Sequence, residues 1–91
     1  MLNPKYSSQF RKDYKLCRKK GLDIKKILDV MYNLEKEIPL SAQYREHPLQ
    51  GEYKGSLECH IEPDWLLIYK IDGQKKEIYF VRTGTHSDLF E

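Results

Sequence analysis

The 91-residue chain has only two cysteines, Cys17 and Cys59, so a small scaffold stapled by disulfides is excluded. Its four prolines and five glycines are scattered, so the composition marks no linker between domains. No apolar run approaches the roughly 20 residues of a membrane-spanning helix. The opening Met1-Leu2-Asn3-Pro4-Lys5 lacks the apolar stretch of a secretory leader. A cytoplasmic location is the expectation, with no membrane contact and both thiols reduced and buried. There is no internal repeat and no low-complexity segment. Residues 1–91 are therefore read as a single domain.

What the chain has is charge, on a third of its residues, against 40% apolar ones. That balance belongs to a globular domain and not to a disordered tail. The net charge of +2 is unevenly spread. Residues 1–37 hold ten Lys/Arg and five Asp/Glu, while residues 38–91 hold six and nine. The basic groups Arg18-Lys19-Lys20 and Lys25-Lys26 fit a solvated helix surface, or a face for RNA phosphates.

The hydrophobic period divides the chain. Residues 2–6 can form a strand, which Pro4 confines to a sheet edge. Ser7 or Ser8 can cap a helix carrying Phe10, Tyr14 and Cys17 on one side, with Gly21 placed to end it. Asp23 can cap a second helix, whose stripe is Ile24, Ile27, Leu28, Met31 and Leu34, and Pro39 closes it. From Leu57 the period falls to two: Leu57, Cys59 and Ile61 alternate with Glu58, His60 and Glu62. Pro63-Asp64 reads as a turn, Trp65 to Ile71 as a central strand, and Asp72-Gly73 as a second turn. Glu77 to Thr83 reads as a third strand, and Thr85 or Ser87 can begin a short last turn with Leu89 and Phe90. The expected fold is α+β, with two N-terminal helices packed on one face of a small, mainly antiparallel sheet.

The polar residues of the second half are the candidates for chemistry. His47, His60 and His86 all lie there. His60 sits on the polar face of its strand, and Asp64 and His86 sit at strand ends, where a rigid scaffold presents reactive groups. Cys59 and His60 are adjacent in a strand and so face opposite sides, which makes them a poor metal pair. No metal and no cofactor are expected.

The strings His47-Pro48-Leu49-Gln50-Gly51, Lys54-Gly55, Cys59 to Tyr69, Arg82-Thr83-Gly84-Thr85-His86 and Leu89-Phe90 resemble, in that order, the YafQ branch of the RelE superfamily. Those proteins are the toxin halves of bacterial type II toxin–antitoxin pairs. The resemblance implies a RelE-like fold and an endoribonuclease that enters the ribosomal A site and cleaves the messenger RNA there. It also implies a cognate antitoxin, with operator DNA contacted only through the antitoxin complex. The family's active-site set falls on His47, His60, Asp64, Trp65, His86 and Phe90. The sequence departs from the pattern at Ser56-Leu57, where relatives carry an aromatic residue and an arginine, and at Tyr53, where a tryptophan is familiar. Arg82, Lys54 or the basic helices are the candidates to supply the missing phosphate contact.

RNA brings its own nucleophile, the 2′-hydroxyl, and metal-free cleavage needs a base, an acid and a stabilised phosphate. The expected acid is His86. Asp64 or His60 is the base, and the sequence does not separate them. Arg82 and Lys54 are expected at the phosphate, Trp65 and Phe90 packing or stacking the bases or supporting the site, and His47 positioning the RNA or bracing the site. The antitoxin is expected to lay an acidic segment along residues 5–26. Two other readings compete: a gyrase-poisoning relative that cuts no RNA, and a degenerate toxin that only binds its antitoxin as co-repressor.

Overall fold

The computed structural model describes residues 1–90. Its elements are β1 (Asn3–Tyr6), α1 (Ser8–Lys19), α2 (Ile24–Glu35), β2 (His47–Pro48), β3 (Leu57–Glu62), β4 (Trp65–Asp72), β5 (Glu77–Gly84) and α3 (His86–Phe90), with 3-10 turns at Ala42–Tyr44 and Gly51–Tyr53. The strands form one sheet in the order β1-β5-β4-β3-β2. β2 to β5 pair antiparallel. β1 pairs parallel to β5, at the edge that Pro4 requires.

Local signals set the helices. The Ser7 hydroxyl accepts the Phe10 N–H at 2.8 Å and donates to the Val81 carbonyl at 2.8 Å, so the cap of α1 also fastens it to β5. Asp23 accepts the Lys25 N–H at 3.2 Å and starts α2. Gly21, just past α1, has φ +84, the left-handed conformation that ends a helix. α2 stops at Glu35, four residues before Pro39. Its buried stripe is Ile27, Val30, Met31 and Leu34, whereas Leu28 is about half exposed. Val30 thus takes the core position expected of Leu28. No helix among the described residues is long and apolar enough to cross a membrane.

The sheet has two unequal apolar faces. Trp65, Leu67 and Tyr69 of β4 join Cys59, Ile78 and Phe80 under α1 and α2. Leu66 and Ile68 of the same strand point the other way, into a smaller cluster with Leu89 of α3. Because β4 is covered on both faces, it reads as a continuous apolar run. The turn after β4 is longer than a two-residue hairpin: Asp72 accepts the N–H groups of Gln74 and Lys75, both at 3.1 Å. A bulge at Val81 matters more. Tyr69 pairs with Phe80 but Ile68 pairs with Arg82, so one extra residue in β5 reverses its alternation. Arg82 thereby shares the face of Ile68 instead of the face of Phe80.

Candidate active site

The register lays polar groups out in rows on the face away from α1 and α2. His47 pairs with Glu58, Glu58 with Ile68, and Ile68 with Arg82. In the next row, His60 pairs with Leu66 and Leu66 with Gly84, one residue short of the α3 cap. Leu66, Ile68 and Leu89 form the apolar floor. Paired residues share a sheet face, so the backbone alone brings His47, Glu58, His60 and Arg82 to one surface.

The three histidines form a line. Ring centroids lie 6.1 Å apart for His47 and His60, and 5.8 Å apart for His60 and His86. Glu58 lies between the first two: its Oε2 is 2.8 Å from His47 Nε2 and 3.6 Å from His60 Nε2. The Glu58 side chain is 6% exposed and that of His60 10%, whereas His47 and His86 are about half exposed. The His60 Nδ1 faces the Pro63 carbonyl at 3.4 Å, which fixes the ring against the β3–β4 turn. Tyr69 donates its hydroxyl to Glu46, next to His47, and so ties that loop to the sheet.

At the other end of the line, Asp64 Oδ1 is 2.5 Å from His86 Nδ1 and accepts the His86 backbone N–H at 3.0 Å. That backbone hydrogen bond, with the imidazole beside it, holds the Asp64 carboxyl below the usual carboxylate range. A charged Asp64 favours the proton on Nδ1, so that Nε2 is the ring nitrogen outside this pair. α3 is itself held by reciprocal capping. Thr85 N–H donates to Asp88 Oδ2 at 3.1 Å, and Asp88 N–H donates to Thr85 Oγ1 at 3.1 Å.

Arg82 lies beside this line and is gripped from behind. Its Nε and Nη2 donate to Asp13 of α1 at 2.7 and 3.1 Å, and its Nη1 donates to the Tyr53 hydroxyl at 3.5 Å. The Asp13 hydrogen bonds raise the guanidinium pKa further. The Tyr53 ring meets Phe90 edge-on, with centroids 6.1 Å apart, so Phe90, half exposed, rims the same surface. Lys54 follows Tyr53 and is exposed.

Burial narrows the two roles expected of Trp65, contact with a base or support of the site. Trp65 is 2% exposed and donates Nε1–H to Thr83 Oγ1 at 3.0 Å. It heads β4 on the helix-covered face and packs in the core, so it supports the site from beneath and offers no surface to a base. Three contributors escaped the sequence reading. Glu58 alternates with His60 on the polar face, a signal that was present. Tyr53 drew notice only as a departure from a tryptophan. Asp13, on a charged helix, resembled any solvated acid. Cys59 and His60 do face opposite sides, as expected, but His47, Glu58 and His60 place one possible ligand atom each within 4.8 Å of one another.

Comparison with known proteins points the same way. The family described as "Bacterial toxin of type II toxin-antitoxin system, YafQ" matches residues 2–91. The mRNA interferase toxin YafQ of Escherichia coli K12 is 48% identical over 86 residues, covering 93% of this chain and 91% of that protein. The toxin in the crystal structure of the E. coli DinJ–YafQ complex superposes with a TM-score of 0.90 at 44% identity, over the whole of both chains. A metal-bound toxin from Helicobacter pylori superposes with a TM-score of 0.92 at 44% identity, over 99% of this chain and all of that one.

Proposed function

The chain belongs to the YafQ family of bacterial type II toxins, within the RelE superfamily, and from that membership we propose that it is an mRNA interferase acting by acid–base catalysis on RNA presented in the ribosomal A site. The observation that carries the mechanism is the Asp64–His86 pair set one ring away from His60. Asp64 is committed to His86 by two contacts and its carboxyl is a weakened base, so the assignment of general base goes to His60. His60 takes the 2′-hydroxyl proton as O2′ bonds to phosphorus. The P–O5′ bond breaks, and His86 Nε2–H protonates O5′. The products are a 2′,3′-cyclic phosphate and a 5′-hydroxyl. Arg82, its Nε and Nη2 turned to Asp13, offers the phosphate its remaining N–H groups, and Lys54 adds charge at the rim. His47 braces His60 through Glu58, and Phe90 supplies an exposed ring for a nucleobase.

Ribosome dependence has a physical logic: a shallow site with few groups gains from RNA held in attack geometry by another body. The relative seen with its antitoxin supports a cognate antitoxin here as well. A groove lined by Tyr6, Phe10, Arg11, Tyr14, Arg18 and Leu28 suits an acidic segment with apolar anchors. The H. pylori relative is metal-bound, and His47, Glu58 and His60 offer donors for such an ion. A bound ion would supply positive charge, and no step of the reaction is routed through it.

The test is primer extension on a reporter message in a purified translation system. Wild type is expected to make discrete in-frame cuts that vanish without ribosomes and in His86→Ala. Full activity in a folded His86→Ala protein overturns the mechanism. The absence of cuts from folded wild type that still binds its antitoxin favours the co-repressor reading.

A further inference from the structure

His60 belongs to the histidine line, and it also forms part of the wall of a hollow where the end of β3 meets the 3-10 turn Ala42–Tyr44. The hollow has a volume of about 150 Å³, and Gln43, Tyr44, Arg45, Glu62 and Pro63 line it beside His60. We propose that it seats the base of the nucleotide that carries the attacking 2′-hydroxyl, and that Gln43 and Arg45 read the edge of that base. The proposal rests on the assignment of His60 as general base.

The connectivity of a nucleoside sets the first constraint. The base hangs from C1′, the carbon next to the one that carries the 2′-hydroxyl. A hydroxyl aimed at His60 therefore brings its own base to a surface that borders His60, and the hollow is such a surface. Size is the second constraint. Pockets for drug-sized ligands start at roughly 300 Å³, so about 150 Å³ suits one flat ring system and not a whole nucleotide. Charge is the third. The Glu62 carboxylate, paired with Lys26 at 3.1 Å, opposes a phosphate but accepts an N–H from a base. Tyr44 packs partly against the core and turns the rest of its ring to the hollow, where a base can stack.

Gln43 and Arg45 are exposed, and neither side chain makes a hydrogen bond or an ion pair among the described residues. An amide and a guanidinium can each meet a base edge through two atoms. The backbone fixes where they stand. Arg45 has φ +50, uncommon for a residue with a side chain, and its N–H donates to the Ala42 carbonyl at 3.1 Å. The next residue, Glu46, accepts the Tyr69 hydroxyl. On the opposite wall the register of β3 skips Ile61 between His60 and Glu62, and a bulge of this kind re-aims side chains. Both His60 and Glu62 border the hollow.

The test is primer extension in the purified translation system, on four messages that differ only in the base 5′ to one mapped cut and four that differ only in the base 3′ to it. Wild type is expected to favour one base at the 5′ position by about tenfold or more. In Gln43→Ala and in Arg45→Ala, with folding checked by circular dichroism, that ratio is expected to shrink by roughly fivefold or more, while the ratio at the 3′ position holds. An unchanged 5′ ratio in both variants, or a change confined to the 3′ position, overturns the proposal and leaves the nuclease reading standing. A wild type that cuts none of the messages counts against the nuclease reading, and binding then decides the hollow. The probes are four trideoxynucleotides, one for each base, which lack the 2′-hydroxyl and stay intact, titrated into the full chain and followed by NMR. Saturable shifts of the Gln43 side-chain amide and the Tyr44 ring support a seat for a base, and their absence with all four probes overturns it.

Discussion

Asp13 of α1 holds Arg82 of β5 by two parallel hydrogen bonds, from Nε at 2.7 Å and from Nη2 at 3.1 Å, and also accepts the Thr83 backbone N–H at 3.2 Å. The Asp13 side chain is 7% exposed. Asparagine presents one acceptor where the fork needs two, and its amide opposes the guanidinium. Asp13→Asn is expected to cost about 2–4 kcal/mol, as when one partner of a buried pair is lost. Urea denaturation checks this. In the cleavage assay the same change is expected to release Arg82 from its posture and raise KM for the message more than it lowers kcat. Wild-type KM in folded Asp13→Asn would separate Arg82 from phosphate binding.

Gly84 joins β5 to α3 with φ +154, and a Cβ built there would meet Asp88 Cβ at 3.0 Å and its Oδ2 at 3.1 Å. Asp88 is the residue that caps α3, so alanine strains the backbone and pushes the cap away together. Gly84→Ala is expected to destabilise the fold by about 1–3 kcal/mol. It is also expected to displace His86 from Asp64. Thermal unfolding measures the first effect. The loss of the short Asp64–His86 contact, read from the His86 ring protons by NMR, measures the second.

How far these features can be read from sequence depends on the range of the interaction behind them. Ser7, Asp23 and Gly21 act within a turn of their helices, and each does what its chemistry suggests. The alternation of β3 and the apolar run of β4 survive folding because they report burial directly. The parallel pairing of β1 with β5 joins residues more than seventy positions apart and has no local signature. The same holds for Asp13 and Arg82. The Val81 bulge lies within a β-branched run that looks regular, yet it decides which face Arg82 occupies. Leu28 and Val30 fit the helical stripe nearly equally well, and only the angle of α2 on the sheet chooses between them. The histidines were legible as candidates, but their convergence through Glu58 follows from register, which a two-residue β2 conceals.

The α3 cap sets a limit at low pH. The Thr85 backbone N–H, with the Lys20 ammonium, holds the Asp88 carboxyl below its ordinary value. A depressed folded pKa contributes stability that is fully present above the unfolded value, about 3.9, and is lost as pH falls through the folded one. Between pH 7 and pH 5 the Thr85 amide resonance is therefore expected to be steady. Below about pH 4 it is expected to move as α3 loosens. Asp88→Asn removes this transition. A Thr85 amide that titrates with a midpoint above the ordinary aspartate value would reverse the sign and refute the capping role.

Trp65 separates a core role from contact with RNA. Its Nε1–H donates to Thr83 Oγ1, and that hydroxyl in turn donates to the Leu66 carbonyl at 2.7 Å. The chain of bonds pins the end of β5 to the start of β4, directly below Gly84 and the α3 cap. Trp65→Phe keeps a ring in the core but removes the donor and some volume, at an expected cost of about 1–3 kcal/mol. Since the ring is buried, the folded fraction of Trp65→Phe is expected to cleave at an unchanged KM, once activity is normalised to folded protein below its melting range. Phe90→Ala, which removes an exposed ring, is expected to do the opposite and raise KM with little change in unfolding midpoint. If Trp65→Phe raises KM while its stability is untouched, the indole reaches the substrate in the working complex, and β4 must open at its first residue to let it do so.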